Sequence, residues 1–384
     1  MKNTQGDNDL NEQEIINTIA LTRINFFTLS GLLELYRRMG SATAVIDNRK
    51  NIRDAIPDAS PRLIEALGNL DEPLERAEVE LDYDLRNGIS PLCLNSPDYP
   101  QRLKNCEDAP LILFYKGNAD LNRQRVIDIV GTRHCTIYGE DLIRKFVTGL
   151  KRMCPDVLIV SGLAYGVDIN AHCNALNNGY DTVGVLAHGL DYLYPTCHKE
   201  TADKMILQGG LLTEFLTQTQ PKAINFLRRN RIVAGISDAT ILVESAVHGG
   251  GLVTTRIAQS YNRDVFAFPG AIGAPFSEGC NNLIRDNGAG LITNATDFVK
   301  AMGWQDDNEI DNARKKGIER SLFPELTDVE KKIVDILQKN NDLQVNILTV
   351  QAAIPINKLT SSLFQLEMKG VVKELAGGLY HLIM

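Results

Sequence analysis

The chain has 384 residues, 44% hydrophobic and 23% charged, the make-up of a globular protein of two or three domains whose core needs neither disulfides nor metals. Its net charge of -8 excludes a binder that is basic overall but not a local basic groove, because exposed charges are screened beyond about 8 Å at physiological salt. Seven scattered cysteines with no C-x-x-C pair, a polar N-terminal stretch and no bilayer-length apolar run point away from disulfide scaffolds, secretory leaders and membrane spans, so a cytoplasmic location is expected.

Residues 1–82 predict a bundle of short helices. Apolar residues recur at helical spacing through Ile15, Ile16 and Ile19, then Leu32, Leu33 and Leu35, then Leu63, Ile64 and Leu67. Gly40, Pro57, Gly68 and Pro73 punctuate the pattern.

Residues 83–303 predict an α/β domain with an extended Rossmann-like parallel sheet. Apolar runs at 126–130, 157–160, 182–186, 240–243 and 265–268 read as buried strands. Helical stretches at 139–153, 166–178, 202–208, 252–262 and 281–286 lie among them. Alternating buried strands and helices give a parallel sheet covered on both faces, with ligands beyond the C-terminal strand ends. Residues 89–115 are expected to add edge strands ahead of the first unit.

Residues 304–322 are polar, with acids at Asp306, Asp307, Glu309 and Asp311, and read as a linker. Residues 323–384 then predict a winged helix. Thr327 and Glu330 have capping-box spacing before Ile333, Ile336 and Leu337. A second helix runs from Lys358 to Met368 and stops at Gly370, and two short apolar runs around Gly377-Gly378 form a hairpin.

Several features at the expected sheet edge suit anions. The run ending at Val130 leads into Gly131-Thr132-Arg133, where backbone N–H groups and a guanidinium can hold a phosphate. The next strand ends in Ser161-Gly162, with Gly166 opening a helix; Asp168 there reads as a structural cap rather than a catalytic group. Gly249-Gly250-Gly251, with Thr254 after it, opens another helix. Lys222, Arg228, Arg229 and Arg231 place four positive charges in ten residues, with Phe226 and Asn230 among them and no acid. A bare charge run usually marks a solvated face. Here Ile232, Val233 and Ala234 follow at once, so the segment docks on the core, and cations beside an aromatic ring suit single strands.

Other chemistry fares poorly. There is no G-x-G-x-x-G fingerprint, no Walker A loop and no G-x-S-x-G elbow, and the six histidines lack zinc-site spacing. No metal, cofactor or catalytic residue is expected.

Taken in order, these turns resemble the bacterial DNA-processing protein A family, DprA, also called Smf. The matching stretches are VGTR from Val130, SGLAYGVD from Ser161, GLDYLYP from Gly189 and FLRRNRIVAGIS from Phe226. GGGLVTT from Gly249, FPG from Phe268, GCNNLIRDNGA from Gly279 and PDYPQRL from Pro97 complete the series. The likeness is tight over residues 89–303; the flanking helical region resembles sterile-alpha-motif or helix-hairpin-helix domains, and the C-terminal winged helix also fits longer members. The resemblance implies a protein of natural transformation that binds and protects incoming single-stranded DNA, loads RecA recombinase onto it, and forms a homodimer through the Rossmann-like domain. It implies DNA contacts at Arg133, Lys222, Phe226, Arg228, Asn230 and Arg231. Residue reading adds Gly131, Ser161, Gly162, Gly166, Arg229, Gly250, Gly251 and Thr254. Three residues depart from the family pattern: Tyr165 replaces a common Arg, and Leu216 and Leu227 replace common prolines.

Two other readings stand beside this one. The Gly249 loop also resembles that of LOG-type phosphoribohydrolases, which would need a nearby carboxylate such as Glu244 or Asp168. The C-terminal region could read duplex DNA through residues 358–369, but only Lys358 and Lys369 are basic there, which favours a protein-interaction or spacing module.

Overall fold

Runs of β-branched and aliphatic residues separated by amphipathic stretches build a single large sheet. A computed structural model of the chain describes residues 4–24, 28–304, 326–341, 343–375 and 378–382. The chain divides into two compact units, residues 1–308 and 309–384.

The first unit opens with helices α1 (Thr4–Thr22), α2 (Leu29–Met39), α3 (Ala42–Asp47), α4 (Ile52–Ala55), α5 (Pro61–Gly68) and α6 (Asp71–Asn87). Thr28, Ser41 and Ser60 cap α2, α3 and α5 through their hydroxyls, and Pro61 sits in the first turn of α5, where its missing N–H costs nothing. The apolar stripes of these helices pack on the sheet: Leu33, Tyr36 and Leu67 share one core with Leu103 and Leu113. Ile19, Ala77 and Leu81 share a second with Ile112 and Phe114.

The strands are β1 (Ser90–Cys93), β2 (Ile112–Gly117), β3 (Val126–Val130), β4 (Leu158–Ser161), β5 (Thr182–Val185), β6 (Gly209–Thr213), β7 (Ala239–Leu242), β8 (Asp264–Ala267) and β9 (Gly290–Leu291). They form a nine-stranded sheet in the order β1-β2-β6-β5-β4-β3-β7-β8-β9. From β3 to β9 all pairings are parallel, while β1 and β2 pair antiparallel, as expected for the edge extension. The five expected core strands lie within one residue of their observed positions. Strand β6 was not expected.

The helices among these strands are α7 (Gln101–Lys104), α8 (Ile137–Met153), α9 (Val167–Asn177), α10 (Lys199–Leu207), α11 (Ala223–Ile236), α12 (Gly250–Ser260), α13 (Glu278–Arg285) and α14 (Ala295–Ala301). The chain winds outward from β3 through β4 and β5 to β6, then crosses back to β7 on the other side of β3. That reversal is the topological switch point. The loops after β3, β4 and β7 diverge there and leave a crevice.

The second unit contains α15 (Asp328–Lys339), β10 (Leu343–Gln344), α16 (Val345–Ala352), α17 (Ile356–Met368), β11 (Val372–Leu375) and β12 (Leu379–Leu382). Its strands pair antiparallel in the order β10-β12-β11. Thr327 and Glu330 make the expected capping box, each accepting from the other's backbone N–H. Gly370, at φ +71°, ends α17. The hairpin is present, and the short β10 adds a third strand. The expected linker, 304–322, falls outside the described residues apart from Trp304.

Candidate functional site

The three loops at the switch point are stitched together by backbone hydrogen bonds. Thr132 N donates to Glu244 O at 2.8 Å, and Val167 N donates to Thr132 O at 3.1 Å. Gly166 makes this possible: its φ is +73°, and a Cβ there would lie 2.3 Å from Thr132 O. Between the loops and α11 lies a cleft of about 560 Å³.

Three helix N-termini line the cleft. The first turns of α9, α11 and α12 contribute Asp168, Ala223, Phe226, Gly250, Gly251 and Thr254. None of these helices has a side-chain cap; their N-cap residues are Gly166, Lys222 and Gly249. The N–H groups of Ala223 and Ile224 on α11 and of Gly250 and Gly251 on α12 are left as donors, whereas on α9 those of Val167 and Ile169 are taken by Thr132 O and Ala164 O. Each terminus carries about half a positive charge. By contrast, α8 and α14 are capped by Thr136 and Asn294. These three ends face the crevice where an anion would sit, although α7, α10 and α13, which do not line it, are uncapped as well.

Arg133 is exposed on the β3 loop, with its guanidinium 5.1 Å from the centroid of the Phe226 ring. Phe226 meets Tyr194 edge-to-face at 6.1 Å. Asn230, one turn after Phe226 on α11, also lines the cleft, as do Gly131 and Gly162.

The basic stretch divides into two pairs. Lys222 and Arg228 are exposed, and Arg228 lies over the Phe215 ring at 5.5 Å. Arg229 and Arg231 are each 4% exposed. Arg229 Nη1 donates to Gly162 O at 2.6 Å and also to Val185 O. A Cβ on Gly162 would meet that same nitrogen at 2.3 Å, so the close approach requires glycine. Burial lowers the Arg229 pKa to about 10, with Asp168 opposing the shift, so the group is a fixed cation beneath the cleft. Arg231 pairs with Glu214 and donates to Asp108 O, away from the cleft. Where the sequence places Arg231 facing a ligand, the structure buries it, with Nη1 and Nη2 engaged inside the fold and Nε without a partner. Ser161 is corrected likewise, since it is fully buried and its hydroxyl donates to Ile129 O at 2.7 Å.

The two carboxylates that hydrolysis would need are both engaged. Glu244 accepts from Thr136 N at 2.8 Å and from Thr136 Oγ1 at 2.6 Å, at the N-terminus of α8. It does not line the cleft. Asp168 is buried and accepts from Ala164 N at 3.3 Å; it does not cap α9, whose N-cap residue is Gly166 with no side-chain cap, so the expected capping role is not what the structure shows. Burial pushes its pKa up, against the pull of Arg229.

Sequence reasoning missed Tyr194. An exposed aromatic in the turn after β5, at the same sheet edge as the glycine loops, was the available signal. Among the described residues no cluster of three or more His, Cys, Asp or Glu could hold a metal, and no helix is long and apolar enough to cross a membrane.

Comparison with known proteins shows what the chain is similar to. The pattern of the DNA recombination-mediator protein A family matches residues 90–303. The chain is 40% identical over 201 residues to DNA processing protein DprA of Streptococcus pneumoniae, covering 52% of this chain and 70% of that one. It is similar to the X-ray structure of DNA processing protein A from the same organism, with a TM-score of 0.64 and 32% identity over 74% of this chain and 97% of that one. A second similar structure, DNA processing protein A from Helicobacter pylori, was described for its single-stranded DNA binding mode. It has a TM-score of 0.50 and 29% identity, over 56% of this chain and 95% of that one.

Proposed function

The chain belongs to the DNA recombination-mediator protein A family, and from that premise we propose that it binds single-stranded DNA along the C-terminal edge of its sheet. The observation that carries this reading is the cleft itself. Three uncapped helix N-termini converge beside Arg133, whose guanidinium sits over the Phe226 ring. N–H donors and cations suit phosphates, and the ring suits a base, so the site fits a strand better than an isolated anion. The strand-binding mode described for the Helicobacter pylori relative supports the same assignment. The engaged state of Glu244 and Asp168 favours binding without hydrolysis over the phosphoribohydrolase reading.

The exposed cations of the β3 loop and of α11 with its cap are Arg133, Lys222 and Arg228. Three neutralised phosphates give log K against log salt a slope of roughly -2, from about -0.7 each. The test is fluorescence anisotropy with oligothymidine at two salt concentrations. Arg133→Ala should reduce affinity and bring the slope to about -1.4. Phe226→Ala should cost about 1–3 kcal/mol with the slope unchanged. Wild-type affinity and slope in both variants would remove the site assignment.

In this reading the bound strand is passed to a RecA-type recombinase in the cytoplasm during natural transformation, and the sheet unit forms a homodimer. Sedimentation of the full chain with and without RecA and oligothymidine tests both associations. Residues 1–82 act as a helical domain fused to the strand-binding domain at 83–303, with a linker at 304–322. Residues 323–384 serve as a protein-interaction or spacing module. Two features of α17 support this: Lys369, just past its end, is tied to Glu330 at 2.8 Å, and α17 exposes Phe364 and Met368. Deleting 323–384 should leave duplex and strand affinity unchanged; a selective loss of duplex binding would reverse the assignment.

A further inference from the structure

Phe226 is not the only partly exposed ring at this sheet edge. Tyr194 is 43% exposed and Tyr165 is 46% exposed. Both are held by a buried frame rather than left loose. Tyr194 N donates to His188 Nε2 at 3.2 Å, while His188 Nδ1 donates to Gly189 O at 2.8 Å and the His188 ring stacks on Tyr192. Tyr165 packs edge-to-face on His198 at 5.2 Å, and His198 Nδ1 donates to Leu163 O at 3.0 Å. The Tyr165 hydroxyl accepts from Cys197 Sγ at 3.7 Å, which ties it to the loop that carries Tyr194.

The position of these rings is informative. Ala164 lines the cleft, and Tyr165 follows it directly. Gly166 then packs against the backbone of Thr132 and Arg133, so Tyr165 stands beside the Arg133 loop. Tyr194 touches Phe226 on the other side. Exposed aromatic rings add nothing to a core, and a row of them beside an anion-binding cleft is the arrangement that stacks successive bases.

We infer that Tyr194 and Tyr165 extend the stacking surface of Phe226, so that the strand leaves the phosphate cleft over the loops that follow β4 and β5, with its bases on these two rings. This rests on the single-strand reading of the cleft and adds the path of the strand beyond it. Tyr165 thereby contributes affinity through its ring and not through its hydroxyl or any charge.

The test compares full-length wild type, Tyr165→Ala, Tyr165→Phe and Tyr194→Ala for binding to oligothymidine and to an abasic backbone of equal length, each at two salt concentrations. Tyr165→Ala and Tyr194→Ala should each weaken oligothymidine binding about tenfold, within the range for one lost base stack. Their salt slopes and their affinity for the abasic backbone should not change. Tyr165→Phe should bind as wild type. Phe226→Ala serves as the control for the cleft. If Phe226→Ala weakens binding but the tyrosine variants do not, the path over these two loops is wrong and the cleft assignment survives. Equal losses on both ligands would likewise overturn the stacking role. A wild-type protein that binds neither ligand overturns both readings.

Discussion

Replacing Arg231 by Met should unfold the protein more readily without altering how it meets a strand. The side chains of Arg231 and Glu214 are 5% and 6% exposed, and Glu214 Oε1 has no hydrogen-bond partner. Methionine keeps the length of the stem but removes the charge, leaving Glu214 buried beside a neutral neighbour. Breaking such a pair costs about 3–5 kcal/mol, and Arg228, 3.8 Å from Glu214, brings the expected loss toward the lower end. The single tryptophan, Trp304, packs on Phe298 at 5.3 Å and reports unfolding of the first unit. Urea titration followed by its fluorescence should show the loss, and Arg231→Met with Glu214→Leu should recover much of it, since two apolar groups leave no orphaned charge. At a urea-free concentration where the variant remains folded, its salt slope should stay near the wild-type value of roughly -2. An Arg231→Met protein with wild-type stability and a shallower slope would refute the sorting of the basic stretch into buried and strand-facing halves.

Three further outcomes follow from single side chains. Asp84 is 1% exposed, its Oδ2 has no partner, and burial, with the neighbouring Glu80, raises its pKa to about 8. A raised carboxyl pKa means the folded state holds the proton more tightly, so this group's contribution to stability falls as pH rises from about 4 to 8. Asp84→Asn should remove that slope and gain most at the alkaline end; a constant difference from wild type across urea titrations at several pH values would contradict it. Gly166→Ala places a Cβ against Thr132 O in a backbone region that only glycine adopts readily, so a loss of about 1–3 kcal/mol is expected, with weaker strand binding as the Arg133 loop shifts. Thr327→Ala removes one half of the capping box and should destabilise the second unit by about 1 kcal/mol, read by amide exchange in α15, with no change in the first unit.

The sheet was legible where apolar residues are dense, as in the unbroken run at 157–160, and in Val126–Val130, where two apolar pairs flank the buried Asp128. Strand β6 escaped because Gly209 and Gly210 lead it, leaving only Leu211 and Leu212 as an apolar signal. The glycine turns were legible because a backbone that must turn and admit close neighbours writes that need into residue type, as at Gly166. Burial of the two arginines was harder to see. A charge run gives net charge, whereas the partners of Arg229 and Arg231 are carbonyls and a carboxylate set by tertiary packing: Gly162, Val185, Asp108 and Glu214. Part of the signal was nevertheless present. Arg229, Ile232, Val233 and Ile236 fall at i, i+3, i+4 and i+7, one face of a helix, and that face is buried. Reading the stretch with helical period assigns Arg229 to the core side and leaves Arg228 for solvent, whereas Lys222, seven residues before Arg229, is exposed because it is the N-cap residue with extended backbone rather than part of the helix.

That division bears on how a chain of net charge -8 can hold a polyanion. Counterion release scales with the phosphates neutralised by exposed cations, and here those are few. On the proposed strand-binding reading, the remaining attraction would come from groups that carry little or no formal surface charge: three helix N-termini, the buried Arg229 guanidinium beneath the cleft, and the Phe226 ring. Buried charge is screened much less by salt than exposed charge, and stacking is not electrostatic in origin. Affinity should therefore decline with salt more gently than a count of all four basic residues in 222–231 together with Arg133 would give. Five neutralised phosphates would set a slope of roughly -3.5, against roughly -2 for the three exposed cations. The measured slope for the wild-type protein distinguishes the two before any residue is changed, and a value near the steeper figure would mean that Arg229 and Arg231 leave their buried partners when the strand binds.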